Sequence, residues 1–581
     1  MKLPKIDGRL VAKLSIILAV GLLTFMFAVV SITSVAFLLH GHVEVRYLIL
    51  SLLISLGLII SLTRKFGYVL QIVTSILFLI LLGTSVYASS ITLDSTYDGN
   101  SYHKTAIGEM KNGWNPIYQH VNDFNDSPQN PHKLADVKGV PRANDYLWVD
   151  TYPKTTWIFA ANIYRLTGNI ESGKAVNVLP LMIVFLLAFG YLYKRLRPAK
   201  SLLISALLAF NPVAIEQIAG YFNDGAMGNV LIALLILFTI FIDKKQKIIS
   251  ERLLLFTIGV TLVLLINIKF TGLAYSAIVA ACYWIFIALK KEWKRLQKLT
   301  LLGAVALIFG LFVVGASSYV KNTREYGNPL FPLAGNGKRD IMTSNEPASY
   351  AKRSGLENFI SANMSRTDNI LLSYSLQGDL PKLKVPFLIY PEELQQLSSS
   401  PDIRQGGYGV WFSGILIVAL IVGIYLLWRF KSAGLDNLAL FLLPILTVLI
   451  TIVCFNTSWW ARYLPQLYVV PIIVLIALML TKHKILTNII SFMVLFNIVL
   501  LISLVGAYQA KYTATFNKNM AGLITCGKNP LHMQAQGAMT GALYNIYDRC
   551  SNVIPMTGPS VNINDPHVAI RVFTDVYRVL P

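Results

Sequence analysis

Long apolar stretches, recurring from one end of the sequence to the other, constrain this chain more than any other feature. They run roughly 18 to 25 residues each, the length an α-helix needs to cross a hydrocarbon layer of ~30 Å. Thirteen spans are expected, near 14–40, 46–62, 69–92, 174–193, 201–218, 225–242, 253–267, 271–289, 299–320, 409–428, 438–455, 464–480 and 485–508. With 55% hydrophobic and only 14% charged residues in 581, too little polar surface remains to cover the cores of a soluble protein of this size. The pattern predicts an all-α polytopic membrane protein of about 13 transmembrane helices, with long loops on one face.

The net charge of +21 would suggest nucleic acid if it were spread evenly, but it is not. Alternate loops counted from the N-terminus (1–13, 63–67, 194–200, 243–252, 290–298, 429–437 and 481–484) hold 23 Lys/Arg against 5 Asp/Glu. The remainder of the chain holds 27 against 24. Short basic loops on one face are the positive-inside signature, so the charge sets orientation and points to no nucleic-acid partner. The N-terminus is expected in the cytoplasm and the C-terminus outside. The first span, preceded by Lys2, Lys5, Arg9 and Lys13, is longer than a signal peptide and reads as a retained anchor.

Three external segments, 93–173, 321–408 and 509–581, are far longer than ordinary connections, and loops of that length are usually functional. In the first, Trp157, Ala161 and Tyr164 share a helical face that suits a helix in the headgroup layer. The tail 509–581 reads as a small cap in which Cys526 and Cys550 are positioned for a disulfide under oxidising conditions. Cys282 and Cys454 fall inside spans and read as packing residues. The cytoplasmic loops are too short to hold a nucleotide-binding domain, and no phosphate-binding glycine pattern stands in the right context.

The acids and bases at the external ends of the spans carry the chemical signal, because ionisable groups persist at a membrane boundary mainly where function uses them. Asp94 and Asp98 follow the third span in Asp94-Ser-Thr-Tyr97-Asp98-Gly-Asn-Ser-Tyr102-His103. Glu216 and Asp224 lie in a tight hairpin, Lys269 sits between spans seven and eight, and Arg462-Tyr463 opens span twelve. Carboxylates and cations at one depth would suit a phosphate-bearing lipid: cations neutralise the phosphate and a carboxylate takes a proton from an acceptor. Structural alternatives stand beside each. Asp98 or Asp224 could cap a helix, Lys269 could snorkel, and Arg462 beside two tryptophans could anchor at the interface. His103 and Glu109 lack the spacing of helical metal ligands.

Taken in order, these residues resemble the integral-membrane GT-C glycosyltransferases, specifically the bacterial members related to protein O-mannosyltransferases and lipid A aminoarabinose transferases. The motifs are the first-loop acid followed by Tyr102-His103 and Asn115-Pro116, then Asn211-Pro212 with Asp224, and Lys269-Phe-Thr-Gly272. Tyr326-Gly-Asn-Pro-Leu-Phe-Pro332, Gly406-Gly-Tyr-Gly409 and Arg462-Tyr-Leu-Pro465 follow. The resemblance implies a GT-C-like catalytic module over 69–480, preceded by two extra helices in 1–68 and followed by a last helix in 481–508 and the tail. It implies a polyprenyl-phosphate-linked sugar as donor and a glycan, lipid or protein as acceptor. It further implies Asp98 as catalytic base and Asp224 as a second catalytic acid. Lys269 and Arg462 would hold the donor phosphate, with Tyr97, Tyr102, His103 and Tyr463 around the substrate. In some relatives the second-loop acid helps bind a divalent metal, for which Asp224 and Glu109 are the candidates here. The sequence departs from the family in its two extra spans and in Asp98-Gly99, where the mannosyltransferases carry paired acids.

The expected function is inverting transfer of a sugar on the external face. An O-antigen polymerase or ligase, using a pyrophosphate-linked glycan and relying on arginines and histidine, would share the topology. A transporter would instead show charges near mid-bilayer.

Overall fold

The computed structural model describes residues 7–128, 130, 142–243, 248–341, 345–368, 381–399, 401–430, 435–521, 531–535, 539–550, 553–555, 569–573 and 576–579. Among them, eleven helices are long and apolar enough to cross a membrane: Gly8–Leu38, Val45–Phe66, Tyr68–Ser90, Ile170–Leu192, Asp224–Ile242, Glu251–Ile268, Phe270–Leu289, Trp293–Val314, Phe412–Arg429, Asn437–Cys454 and Lys484–Ala521. The other two expected spans, the fifth and twelfth, coincide with the shorter apolar helices Pro198–Ala209 and Pro465–Leu480.

Proline explains where the fifth span stops. Asn211 stands before Pro212, a position that disfavours helix, and its side chain instead caps a new short helix, Pro212–Gln217, by accepting from the Val213 amide at 3.0 Å. The apolar run continues through 218, but the helix breaks at Phe210 and leaves Glu216 and Asp224 at the loop-rich end of the bundle.

The bundle is built around its first helix. The most apolar stretch of Gly8–Leu38 is 89% buried, packed mainly on Val45–Thr63, Ala175–Leu192 and Glu251–Ile268. The next two helices are only 22% and 28% buried and present Leu53, Ile54, Ile76 and Ile80 outward. Of the two helices expected as additions ahead of the module, one thus lies in the core. Cys282 is buried as expected, whereas Cys454, at the end of its helix, is exposed.

The helix Thr155–Thr167 does not lie on the surface as its aromatic face suggested. Thr155 through Tyr164 are all buried, Trp157 and Tyr164 almost completely. The aromatic residues face the first loop and the tail, so they are core, and sequence alone could not separate that from an interfacial stripe.

The last helix continues well past 508 to Ala521, 38 residues in all. At 1.5 Å per residue it is ~57 Å long, more than a bilayer's thickness. Its projecting end holds the start of the first loop, where Gln509 donates to the Leu93 carbonyl and the Leu93 amide donates to Thr513 Oγ1 at 3.1 Å. The tail departs from an all-helical reading in one small mixed sheet, ordered Val553–Pro555, Leu531–Ala535, Val576–Val579, Ala569–Phe573. Cys550 is disulfide-bonded; Cys526 lies outside the described residues.

Candidate active site

The first loop leaves the third helix in a tight turn that fixes Asp98. Asp94 Oδ1 accepts from the amide and the hydroxyl of Thr96, at 2.8 and 2.7 Å, and Thr96 Oγ1 accepts from the Gly99 amide at 3.1 Å. Asn100 donates from its side chain to the carbonyls of Asp94 and Thr96. A Cβ on residue 99 would lie 1.8 Å from Asp94 Oδ2, so the backbone can close here only with glycine. A single π-turn, Gly99–His103, then leads into the helix Lys104–Asn112.

Under this turn lies a network almost closed to solvent. Glu171 accepts a 2.7 Å ion pair from each of Lys104 and Lys174, and it also accepts from the Asp94 amide and from the Asn545 side chain. Burial raises the Asp94 carboxyl above its ordinary value, with Lys104 and Lys174 opposing that shift and Glu171 adding to it. Asp94 and Glu171 thus belong to the foundation of the loop, while Asp98, four residues on, faces the other way.

Asp98 meets three other parts of the chain through one guanidinium. Arg462 donates from Nη2 to Asp98 Oδ2 at 3.0 Å, from Nε to Asp224 Oδ2 at 2.8 Å and from Nη1 to Asp402 Oδ1 at 3.3 Å. Lys269 donates to the other oxygen of Asp224 at 2.6 Å. The result is a continuous string, Lys269–Asp224–Arg462–Asp98, drawn from residues up to 364 apart in sequence. Burial works against the charge on Arg462, but Asp224, Asp402 and Asp98 outweigh it and hold the group well above its ordinary value. Trp460, Phe222 and Tyr463 present ring faces to the guanidinium at 4.4 to 5.6 Å, and Lys269 lies 4.3 Å over Tyr463.

The short motifs act as joints that hold these four side chains. Lys269 is the one extended residue between two membrane helices, and the chain can turn there because Gly272 packs on the Leu265 carbonyl, where a Cβ would come within 2.1 Å. Asn211 donates to the Pro465 carbonyl at 2.7 Å, and Gly228 abuts Pro465, tying the Asn211–Asp224 hairpin to the Arg462 segment. Gly406 and Gly409 take positive φ values of 59° and 95°, and between them Tyr408 donates to the Leu464 carbonyl at 2.5 Å. Asp224 is not a helix cap: Asn223 occupies that position, and the Asp224 carboxylate serves the two cations from the first turn of the helix.

The other expected residues separate into two groups. Tyr463 and Tyr102 belong to the site; the Tyr102 hydroxyl donates to Asp98 Oδ2 at 3.1 Å, and burial, then the nearby Asp98, keeps its phenol protonated. Tyr97 is half exposed on the same loop. His103 is buried under Tyr102, accepts from the Trp157 indole at 2.6 Å, and is pushed by burial down to about 3, so it is neutral and held as an acceptor. Glu109 lies in the interface with the tail, accepting from Tyr544 at 3.0 Å and from Asn130 at 2.9 Å, and burial raises it to about 8. Asp224 and Glu109 therefore do not fit a shared metal site. Both oxygens of Asp224 already face cations, Glu109 is surrounded by neutral donors, and among the described residues no three His, Cys, Asp or Glu side chains are grouped for a metal.

Sequence reasoning missed Asp402, Arg404, Glu171, Lys104 and Lys174. Asp402 and Arg404 stand just ahead of Gly406, where the second long loop returns to the membrane, and that position was the available signal. Asn115-Pro116 and Tyr326–Pro332 are structural: Asn115 donates to the carbonyls of Phe37 and Gly41, and Phe331 accepts from Asn322.

No family model matches the sequence, and no curated protein does. Two solved structures have a similar chain course. They are ArnT from Cupriavidus metallidurans in the apo state, 11% identical with a TM-score of 0.45, and the same protein bound to undecaprenyl phosphate, 11% identical with a TM-score of 0.43. Each match covers 83% of this chain and 85% of the other.

Proposed function

We propose that this protein is an inverting glycosyltransferase that moves a sugar from a polyprenyl-phosphate donor to an acceptor hydroxyl on the external face of a bacterial cytoplasmic membrane. One observation carries the reading: a partly exposed carboxylate, Asp98, is linked within a single string of ion pairs to two cations, Arg462 and Lys269, at the loop-rich end of an apolar helix bundle.

Each group has a part in the reaction. Asp98 spends Oδ2 on Arg462 and Tyr102, while Oδ1 takes no hydrogen bond among the described residues and is the atom offered to an acceptor hydroxyl. As the acceptor oxygen forms its bond to the anomeric carbon, Oδ1 takes its proton, and the bond to the phosphate oxygen breaks on the opposite side with its electron pair. A phosphate is a good leaving group and needs no strong general acid, so one carboxylate suffices where a glycosidase needs two. Lys269 and Arg462 keep N–H donors beyond those spent on Asp224, and they meet the charge that grows on the leaving phosphate. Asp224 orients both cations; it is a positioning residue rather than a second base. A neutral, buried His103 disfavours the histidine-centred alternative.

The test is sugar transfer from a polyprenyl-phosphate donor by purified protein. Asp98→Asn should lower turnover by about 10²–10⁴-fold, the usual worth of a general base, with donor binding retained. Arg462→Ala should mainly weaken donor binding. Near-normal turnover by Asp98→Asn would reject the assignment.

A further inference from the structure

The charges in the site balance before any donor arrives: Arg462, Lys269 and Arg404 face Asp98, Asp224 and Asp402. A phosphate entering this cluster adds negative charge and competes with a carboxylate for the cations. Asp402 is the one whose position it matches, because Asp402 alone of the three bridges two guanidiniums. Asp224 is gripped at 2.6 and 2.8 Å by two cations, and Asp98 lies 3.0 Å from Arg462. Asp402 makes the longest of the three contacts with Arg462, 3.3 Å, and its other oxygen lies 3.7 Å from Arg404 Nη2. It spans two guanidiniums as a bridging oxyanion, a role a phosphate fills equally well with its own pair of oxygens.

Two buried donors of this cluster have no partner among the described residues. Arg404 is 3% exposed and Trp460 is 2% exposed, yet among the described residues Arg404 Nε and Trp460 Nε1 have no hydrogen-bond partner. Both are donors. The Trp460 ring also carries both guanidiniums, Arg404 at 4.6 Å and Arg462 at 5.1 Å, and so holds them at a fixed spacing. Arg404 is further pinned by donating from Nη1 to the Asn345 carbonyl at 2.8 Å. Both donors belong to the side chains that surround the two guanidiniums bridged by Asp402, and open donors there suit an acceptor-rich ligand. Burial also raises the Asp402 carboxyl above its ordinary value, against the pull of Arg462 and Arg404, which lowers the cost of parting it from them.

We propose that Arg404 is a third anion-binding cation of this site, and that Asp402 is a place-holder whose carboxylate an incoming phosphate replaces between Arg404 and Arg462. This rests on the glycosyltransferase reading and extends it: the returning limb of the second long loop becomes part of the donor-phosphate subsite. It also gives that loop a ligand-dependent attachment, because Asp402 can let go of Arg462 once the phosphate has taken its place.

The experiment measures binding of a short-chain polyprenyl phosphate to the full-length protein in nanodiscs, with the matching polyprenol as the uncharged control. Arg404→Ala should weaken phosphate binding by about tenfold or more, the loss of a charge-assisted hydrogen bond in a water-poor site, and Arg404→Lys should recover part of it. Asp402→Asn, which keeps the side chain's shape, should tighten phosphate binding by about threefold to tenfold, since it removes a competing anion. Polyprenol binding should be unchanged in all three. Unchanged phosphate affinity in Arg404→Ala, or weaker affinity in Asp402→Asn, overturns the proposal. If Arg404→Ala does not fold, the direction of the Asp402→Asn effect decides alone. The two readings fail separately: loss of phosphate binding in Arg462→Ala without any effect at 404 or 402 rejects only the place-holder.

Discussion

Arg462→Ala should destabilise the protein in a pH-dependent way that follows from its three carboxylate partners. The arginine is almost fully buried, with 11% of its side chain exposed, and so are two of its partners, Asp224 at 1% and Asp402 at 8%. Removing one member of a buried ion pair typically costs about 3–5 kcal/mol, because the charge left behind has lost its compensation. Two features favour the lower end of that range. Asp224 keeps Lys269 at 2.6 Å and Asp402 keeps Arg404 at 3.7 Å, while Asp98, 21% exposed, is partly screened by water. We expect a loss of about 3 kcal/mol at pH 7.5. Asp402 already titrates above its ordinary value because of burial, and removing the guanidinium raises it further. An acid whose folded pKa is raised weakens folding most above that pKa, and the penalty fades as pH falls from there toward the unfolded value. The deficit relative to the wild type should therefore shrink between pH 7.5 and pH 5. Unfolding by SDS titration in mixed micelles at both pH values is the assay. A deficit below about 1 kcal/mol at pH 7.5, the worth of a surface pair, would refute the reasoning, as would a deficit that grows on acidification.

Two further outcomes test the supports of the site. Glu109 titrates at about 8, so it is protonated in the folded protein at neutral pH and must ionise in its buried place as pH rises through that value. Hydrogen exchange of the tail segment 539–550 should accelerate between pH 7 and 9 in the wild type, beyond the intrinsic chemical rate, and much less in Glu109→Gln. Gly99→Ala should cut transfer by about tenfold or more, because its Cβ meets Asp94 Oδ2 at 1.8 Å and Thr96 Oγ1 at 2.4 Å, the latter the acceptor that holds the residue 99 amide in the turn. Gly57→Ala is its control, a helix position with nothing within 4 Å, where the same substitution should leave transfer intact and stabilise by about 0.5–1 kcal/mol.

The membrane architecture was legible in the sequence because the bilayer imposes a length and a polarity on each element separately. Apolar runs announced all eleven long helices, and the run of the fifth span carried on past Phe210 and Pro212, where its helix breaks. The aromatic face of 155–167 misled for a related reason: a stripe reports that something apolar covers it, not whether lipid or protein does the covering.

For the candidate site, the sequence by itself determined which ionisable groups stand at the ends of helices, since a charge is tolerated there and excluded a few residues further in. That was enough to select Asp98, Asp224, Lys269 and Arg462. Only the tertiary structure decided their partners: that one guanidinium gathers three carboxylates, that Asp224 lies between Lys269 and Arg462, and that Asp402 and Arg404 join from a loop 60 residues before Arg462. Pairing depends on distances of about 3 Å between segments hundreds of residues apart, and neither periodicity nor motif spacing carries information about such distances.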